Sequence, residues 1–427
     1  MKKVINSAPS RRHFLRLTSM AAASALAPTV LRAEQREAAD SATSQPVSAR
    51  IATFEEIWRT VRDRFYDPHL HGLDWSAVRE RYLPDATQAS SEEALASVIN
   101  SMLSELHASH TRYYTPYEPE YYQLSDIFAG ALRRRGLERA FPGGRISYPG
   151  IGVLSHLDMQ GRSMNTGVIE GTPAQQAGLF AGDMIVFADS APFQPVQSFR
   201  DKIGMDVVLG LRRAGAFTQI SVTPVDIEPN KMFLDGLKAS ARIIPANGRR
   251  IGYVHVWCYA GSVYQRTLEH LLSHGPLNDA DALIWDLRDG WGGAIPEYLD
   301  LFNTRAPTMQ VTDRNGASEL ENVKWRKPVA MLVNGGTRSG KEILAYGFKK
   351  YRLGEVIGSR TEGAVLAATA FLIGGGLLLL AVADVQVDGE RLEGVGVAPT
   401  IEVQADPASM GPGDPQLNRA IAALSGA

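Results

Sequence analysis

Cysteine is almost absent from this chain of 427 residues: Cys258 stands alone, which excludes an internal disulfide and a cysteine-rich metal site. Its setting, "YVHVWCYA", reads as a buried strand, where a lone thiol behaves as a small hydrophobe. An excess of one charge is also missing. Lys and Arg total 44 against 46 Asp and Glu, a net charge of −2, so nothing electrostatic points to nucleic acid or an anionic membrane. Long apolar runs are scarce. The one exception, "AVLAATAFLIGGGLLLLAVA" at 364–383, reaches membrane-spanning length but carries Gly374, Gly375 and Gly376 at its middle. Each glycine costs about 1 kcal/mol relative to alanine inside a helix. The run therefore reads as a hairpin between buried strands, and no membrane span is expected in the mature chain.

What is present is an ordinary globular composition, 44% hydrophobic and 21% charged, with room for two or three domains. The amino terminus stands apart. Arg11 and Arg12, then Phe14 and Leu15, then a mild apolar stretch ending near Ala33 make an export signal of the twin-arginine type over 1–33. A periplasmic destination follows. Residues 34–48 are small and polar, a linker. Phe54, Ile57, Trp58, Val61 and Phe65 then fall on one helical face. A second helix carries Leu95, Val98, Ile99, Met102, Leu103 and Leu106 as a stripe, with Ser90 and Glu93 spaced as a capping box. From 146 to 228 the pattern changes to short strands broken by glycine. After 249, apolar strands alternate with amphipathic helices, one of them near Pro296, which predicts an α/β layer structure covered on both faces.

In such folds chemistry collects at the carboxyl ends of the strands, where "WDLRDGWGG" and "LVNGGTRSGKEILA" lie. The second is ambiguous. Gly335 to Lys341 spells the start of a phosphate loop, yet the next residue is Glu342 rather than the magnesium-holding Ser or Thr. The same letters put Ser339 at a helix mouth, where backbone N–H groups favour developing negative charge. Read alone, Ser339 is also an ordinary N-cap serine.

Taken in order, "ASHT", a glycine-rich module, "DLRDGWGG", "VNGGTRSGKE" and "LEGVGVAP" resemble the C-terminal-processing (tail-specific) serine proteases, in the branch similar to the tricorn protease core. The resemblance runs from about 50 to 425. It implies an N-terminal helical domain over 49–130 carrying a catalytic histidine, and a mainly β PDZ domain over 146–228. An α/β serine protease domain of ClpP/crotonase-like architecture would occupy 235–427. Ser339 matches the nucleophile, and Gly340 with Gly292 or Gly293 matches the oxyanion hole. One branch of the family takes its base from a lysine in T-x-G-K-G. Here that turn reads Thr361, Glu362, Gly363, Ala364, and Lys341 is too near Ser339 along the helix to face its hydroxyl.

The tricorn-like branch uses a histidine in a Ser-His pair, matched by Ser109 and His110, with Glu393 as its acidic partner and Ser109 helping to orient that carboxylate. A carboxylate beside His110 is expected to raise its pKa and place an acid limb in the neutral-to-mildly-acidic range. His69, His71 and His107 lack the spacing of a metal site, so no metal or cofactor is implied. In the PDZ-like segment Gly150, Ile151 and Gly152 match the loop whose amides receive a peptide's terminal carboxylate. The expectation is an exported serine endopeptidase acting on protein or peptide substrates. A non-catalytic peptide- or ligand-binding protein on the same fold is its rival. Oligomeric state is not legible.

Overall fold

The computed structural model describes residues 46–426 apart from 158–162, 306, 308, 322–323 and 406–412. The expected signal over 1–33 and most of the expected linker lie outside the described residues. The linker's last two positions, Val47 and Ser48, already belong to the first helix.

Three helices open the fold, Val47–Arg64, Trp75–Gln88 and Glu92–Ser104. Phe54, Ile57 and Val61 are fully buried, as their helical spacing requires, together with Ile99, Met102 and Leu106. The cap of the third helix is Ser91, whose hydroxyl accepts from the Ala94 amide at 3.1 Å. The helix starts one residue later than the Ser90 spacing predicts, which leaves Glu93 at its second position and dissolves the capping box. These helices do not close a core of their own. Their cluster continues into Leu366, Ile373, Leu378, Leu380 and Ala381.

Those residues belong to the apolar run flagged in the sequence, which forms the hairpin Ala367–Ile373/Gly376–Ala383. Gly374 (φ 58°) and Gly375 (φ 87°) make its turn, a left-handed pair that side chains other than glycine resist. The short strand Arg112–Tyr114 adds to the hairpin antiparallel to Gly376–Ala383, and the Tyr113 hydroxyl donates to the Ile373 carbonyl at 2.8 Å. Ser109 and His110 immediately precede this strand. Among the described residues, no helix is long and apolar enough to cross a membrane.

Residues 148–227 contribute a separate antiparallel sheet around Ile151, Leu179, Ile185, Phe199, Val207 and Leu209. Val153–Leu157 forms one edge, paired among the described residues only with Ser163–Val168. The largest layer is a six-stranded sheet in the order Arg242–Ala246, Arg249–His255, Ala282–Asp286, Val329–Val333, Glu355–Gly358 and Ile401–Glu402. All neighbours in it are parallel except the first pair. Its two central strands, Ala282–Asp286 and Val329–Val333, are apolar but for Asp286 because both faces are covered. Leu283 and Trp285 join the large cluster on one face, while Ala282 and Ile284 meet Ala420 and Leu424 of the helix Pro415–Ser425 on the other. The segment near Pro296 is a 3₁₀ stretch, Pro296–Phe302, rather than an α-helix. Cys258 is fully buried just past the strand Arg249–His255.

Candidate active site

The adjacent parallel strands Ala282–Asp286 and Val329–Val333 deliver the two glycine-bearing loops to the same edge of the sheet. Short bonds hold the loops together. Asn334 accepts from the Asp289 amide (3.1 Å) and donates to its carboxylate (3.0 Å), while the Thr337 hydroxyl donates to the Leu287 carbonyl (3.0 Å). A Cβ at Gly336 would lie 2.2 Å from an Asp289 oxygen, so that close approach requires glycine.

Ser339 sits at the mouth of the helix Gly340–Lys350 with φ 57° and ψ −130°, a conformation that non-glycine residues hold only when their surroundings impose it. Its amide donates to the Ala364 carbonyl at 2.8 Å and leans on Glu342 Oε1 at 3.3 Å. The buried Glu342 carboxylate also accepts from the Gly363 (2.7 Å) and Ala364 (2.8 Å) amides and from the Thr361 hydroxyl. Burial pushes its pKa up. The phosphate-loop reading thus fails on space as well as charge, since a carboxylate already occupies the helix mouth. Glu342 instead staples the turn Thr361–Ala364 to the serine.

That turn leads to the second group. The amides of Val365 (2.7 Å) and Leu366 (3.2 Å) both donate to Glu393 Oε2. The Ser109 amide donates to Glu393 Oε1 (3.0 Å), and the Ser109 hydroxyl donates to Glu393 Oε2 (2.9 Å). The same hydroxyl lies 2.9 Å from His110 Nδ1. A hydroxyl has one proton to give, and the carboxylate takes it. Nδ1 must then carry the imidazole proton, which leaves the Nε2 lone pair free to accept another. Glu393 therefore reaches the ring through Ser109 rather than directly, a different arrangement from a carboxylate bonded to the imidazole.

The electrostatics of His110 also differ from expectation. Its pKa is pushed down to about 4, chiefly because the half-buried ring loses water and secondly because the Arg338 guanidinium repels the imidazolium. Glu393 pulls the other way and is outweighed. Arg338, adjacent to Ser339, pairs with Glu362 at 3.0 Å.

Of the two candidate oxyanion glycines, Gly292 is the one against the serine. A Cβ there would lie 2.5 Å from Ser339 Cβ and 2.9 Å from the Gly340 nitrogen. Gly293, at φ 96°, turns toward Ala260 instead, where a Cβ would lie 2.6 Å from its Cα. The amide of Gly292 has no acceptor among the described residues, and that of Gly340 opens its helix, where no intrahelical acceptor exists.

The three residues of the PDZ-like loop divide. Gly150 is engaged in a short ladder opposite Val225 and Ile151 has its side chain buried, while Gly152 takes φ 86° against Thr172. The amides of Ile151 and Gly152 have no acceptor among the described residues. Leu154, Ser155 and His156 of the edge strand line a cleft of about 710 Å³ whose far wall includes Trp291 and Arg338. His71 serves structure, bonding the Leu106 carbonyl (2.8 Å) and the Tyr66 hydroxyl (2.7 Å). No cluster of potential metal ligands occurs among the described residues.

Three features lie beyond the motifs. Glu342 repels phosphate, and the S-x-x-E spacing that begins at Ser339 is also the signature of a helix cap. Trp257, whose indole donates to Glu170 at 2.6 Å, carried no signal. Lys341 was set aside as facing away from Ser339, yet it is fully buried beneath the glycine loop.

Residues 250–403 match the model of peptidase family S41, and residues 49–104 match that of the tricorn protease C1 domain. The chain is 26% identical over 383 residues to carboxyl-terminal-processing peptidase 2, chloroplastic, of Arabidopsis thaliana, covering 84% of this chain and 70% of that protein. It is 27% identical over 403 residues to tricorn protease homolog 2 of Streptomyces coelicolor, covering 88% of this chain but 32% of that longer protein. Over 274 residues it is 25% identical to a carboxy-terminal processing protease of Bacillus subtilis, covering 60% of this chain and 56% of that protein. In fold it is similar to the crystal structure of the tricorn protease, with a TM-score of 0.52 at 19% identity, over 90% of this chain and 37% of that one.

Proposed function

We propose that this chain, whose residues 250–403 match peptidase family S41, is a carboxyl-terminal-processing serine peptidase whose chemistry is carried by Ser339, His110, Ser109 and Glu393. The single observation behind this reading is the unbroken hydrogen-bonded line from His110 Nδ1 through the Ser109 hydroxyl to Glu393, which leaves Nε2 as the free base. Ser339 Oγ attacks the substrate carbonyl carbon while Nε2 takes its proton. The resulting imidazolium is steadied through Ser109 by the Glu393 carboxylate. The amides of Gly340 and Gly292 receive the oxyanion, a contribution worth roughly 10²–10³ in rate per donor. Imidazolium then returns the proton to the departing amine, the acyl–Ser339 bond remains, and water attacks it with His110 again as base.

The 146–228 segment acts as a PDZ domain that presents substrate tails to this site. Three features support that role: the open edge of Val153–Leu157, the unengaged amides of Ile151 and Gly152, and the cleft running from that edge to Arg338. The catalytic segment over 235–427 is of ClpP/crotonase-like architecture. Paired Arg11 and Arg12 direct export to the periplasm. The decisive experiment is degradation of peptides with free or amidated carboxyl termini by wild type and Ser339→Ala. Wild type should cleave both, preferring the free acid by roughly tenfold or more, the value of one charge-assisted hydrogen bond. Ser339→Ala should be inactive on both. Equal handling of acid and amide would remove the PDZ reading, and cleavage by Ser339→Ala would remove the nucleophile.

A further inference from the structure

Resting on the serine and oxyanion reading above, we infer that Lys341 is a positioning residue for the reaction. Its ammonium ties the loop that carries Gly292 to the first turn of the helix that carries Ser339.

The side chain of Lys341 is fully buried. Its Nζ donates to two backbone carbonyls, those of Asp289 (2.7 Å) and Trp257 (3.2 Å). Each acceptor governs the glycine loop. Asp289 begins it. The Trp257 carbonyl also receives the Trp291 amide at 2.8 Å, and a Cβ at Gly290 would lie 2.0 Å from that same oxygen. The Tyr259 amide closes the other end, donating to the carbonyls of Trp291 (3.3 Å) and Gly292 (3.1 Å). The loop is thus held from its start by Lys341 and from its end by the strand extension. Between these points Gly292 lies against Ser339 and the Gly340 nitrogen.

Location argues for a purpose beyond filling space. A cation in the first turn of a helix sits at the positive end of its dipole, and a buried ammonium without a carboxylate partner is costly. Apolar side chains of similar length would fill the same volume without that cost. What they lack is the pair of donors. Nothing else among the described residues links the nucleophile helix to the Asp289 carbonyl by a hydrogen bond. The titratable groups acting on Lys341 are the Cys258 thiol, Asp289 and Asp286, which favour its charged form, and Arg338, which opposes it. Burial pushes its pKa down to about 8. Above that pH the amine is neutral and grips the carbonyls more weakly.

The test compares wild type, Ser339→Ala and Lys341→Met on one fluorogenic peptide, with a fluorophosphonate run to completion to count folded sites. A group that positions the oxyanion amides acts in the transition state, so Lys341→Met should lower kcat per site by roughly 100-fold while leaving KM within twofold. Affinity for a peptide aldehyde, whose adduct bears the oxyanion, should fall by a similar factor. Unchanged kcat per counted site, or a loss carried by KM, overturns the inference. Should Lys341→Met yield no folded sites, wild type decides: its kcat must decline as pH rises through about 8, and a flat profile overturns the inference. Activity surviving in Ser339→Ala would instead overturn the nucleophile assignment. An inactive Ser339→Ala beside an unaffected Lys341→Met would overturn only the role of Lys341.

Discussion

The two halves of the site are built on opposite principles. Around Ser339 the contacts are local: Glu342 bonds the serine's own amide three positions away and the turn at 361–364 within 22 positions. Around His110 they are remote, for Ser109 and Glu393 are 284 positions apart. The serine corner is shaped within the central sheet, by the loops that follow Ala282–Asp286 and Val329–Val333 and by the turn Thr361–Ala364. The histidine corner exists only because the N-terminal helices share a core with the hairpin 367–383 and add the strand Arg112–Tyr114 to it. Both corners hold their key residue at positive φ, 57° for Ser339 and 53° for His110. At Ser339 the strain is offset by the bonds of its amide to the Ala364 carbonyl and Glu342. On the proposed mechanism, the nucleophile is preorganised within the central sheet, whereas the base is supplied by the docked N-terminal segment.

The comparison breaks first at the reacting atoms. Ser339→Ala and His110→Ala should each lower kcat by roughly 10⁴- to 10⁶-fold, and the double variant should be scarcely slower, because members of one catalytic unit are not additive. Near-normal turnover in a folded His110→Ala would detach the histidine corner from the chemistry altogether.

The link between histidine and carboxylate comes next. Ser109→Ala removes the acceptor of Nδ1–H but leaves Glu393 bonded to the Val365 and Leu366 amides, so the fold should hold while kcat falls by about 10²- to 10³-fold. Loss of less than threefold would show that Glu393 acts on the ring by another path.

A pH profile sharpens the electrostatic contrast. The proposed mechanism requires neutral His110, whose pKa is lowered to about 4 by burial and by Arg338. Activity should therefore persist below pH 6 and be lost only as pH falls through about 4. Arg338→Gln removes a repelling charge, raises the imidazole pKa, and should move the acid limb to higher pH. A wild-type limb near the ordinary histidine value of about 6.5 would contradict the desolvated ring.

The smallest effect concerns docking. Tyr113→Phe deletes the hydroxyl bond to the Ile373 carbonyl and should cost about 1 kcal/mol or somewhat more in a denaturant titration. Activity should then decline at lower denaturant than serine-corner structure does. Coincident loss would mean that the two corners unfold as one.

Much of this was legible beforehand because it rests on periodicity and on turn chemistry. The stripe Phe54, Ile57, Val61 follows from helical spacing, and the turn at 374–375 from glycine's ease at positive φ. Ser109, His110 and Glu393 were named by motif, and the structure links them by hydrogen bonds. Less visible was anything that depends on where a side chain ends. Helical spacing turned Lys341 away from Ser339 but said nothing of the carbonyls it would meet. The sign of the His110 shift depends on how much water reaches the ring and on Arg338, which a carboxylate argument could not weigh.

By itself, then, the sequence determined the order of elements, the residue types available at each strand end, and the absence of disulfide chemistry, because these follow from local pattern and composition. Tertiary structure decided that Ser109 stands between imidazole and carboxylate, that Gly292 rather than Gly293 faces the serine, and that a buried lysine grips the loop between them. Those outcomes turn on angstrom-scale approach between segments up to 284 positions apart, and no local pattern encodes such a distance.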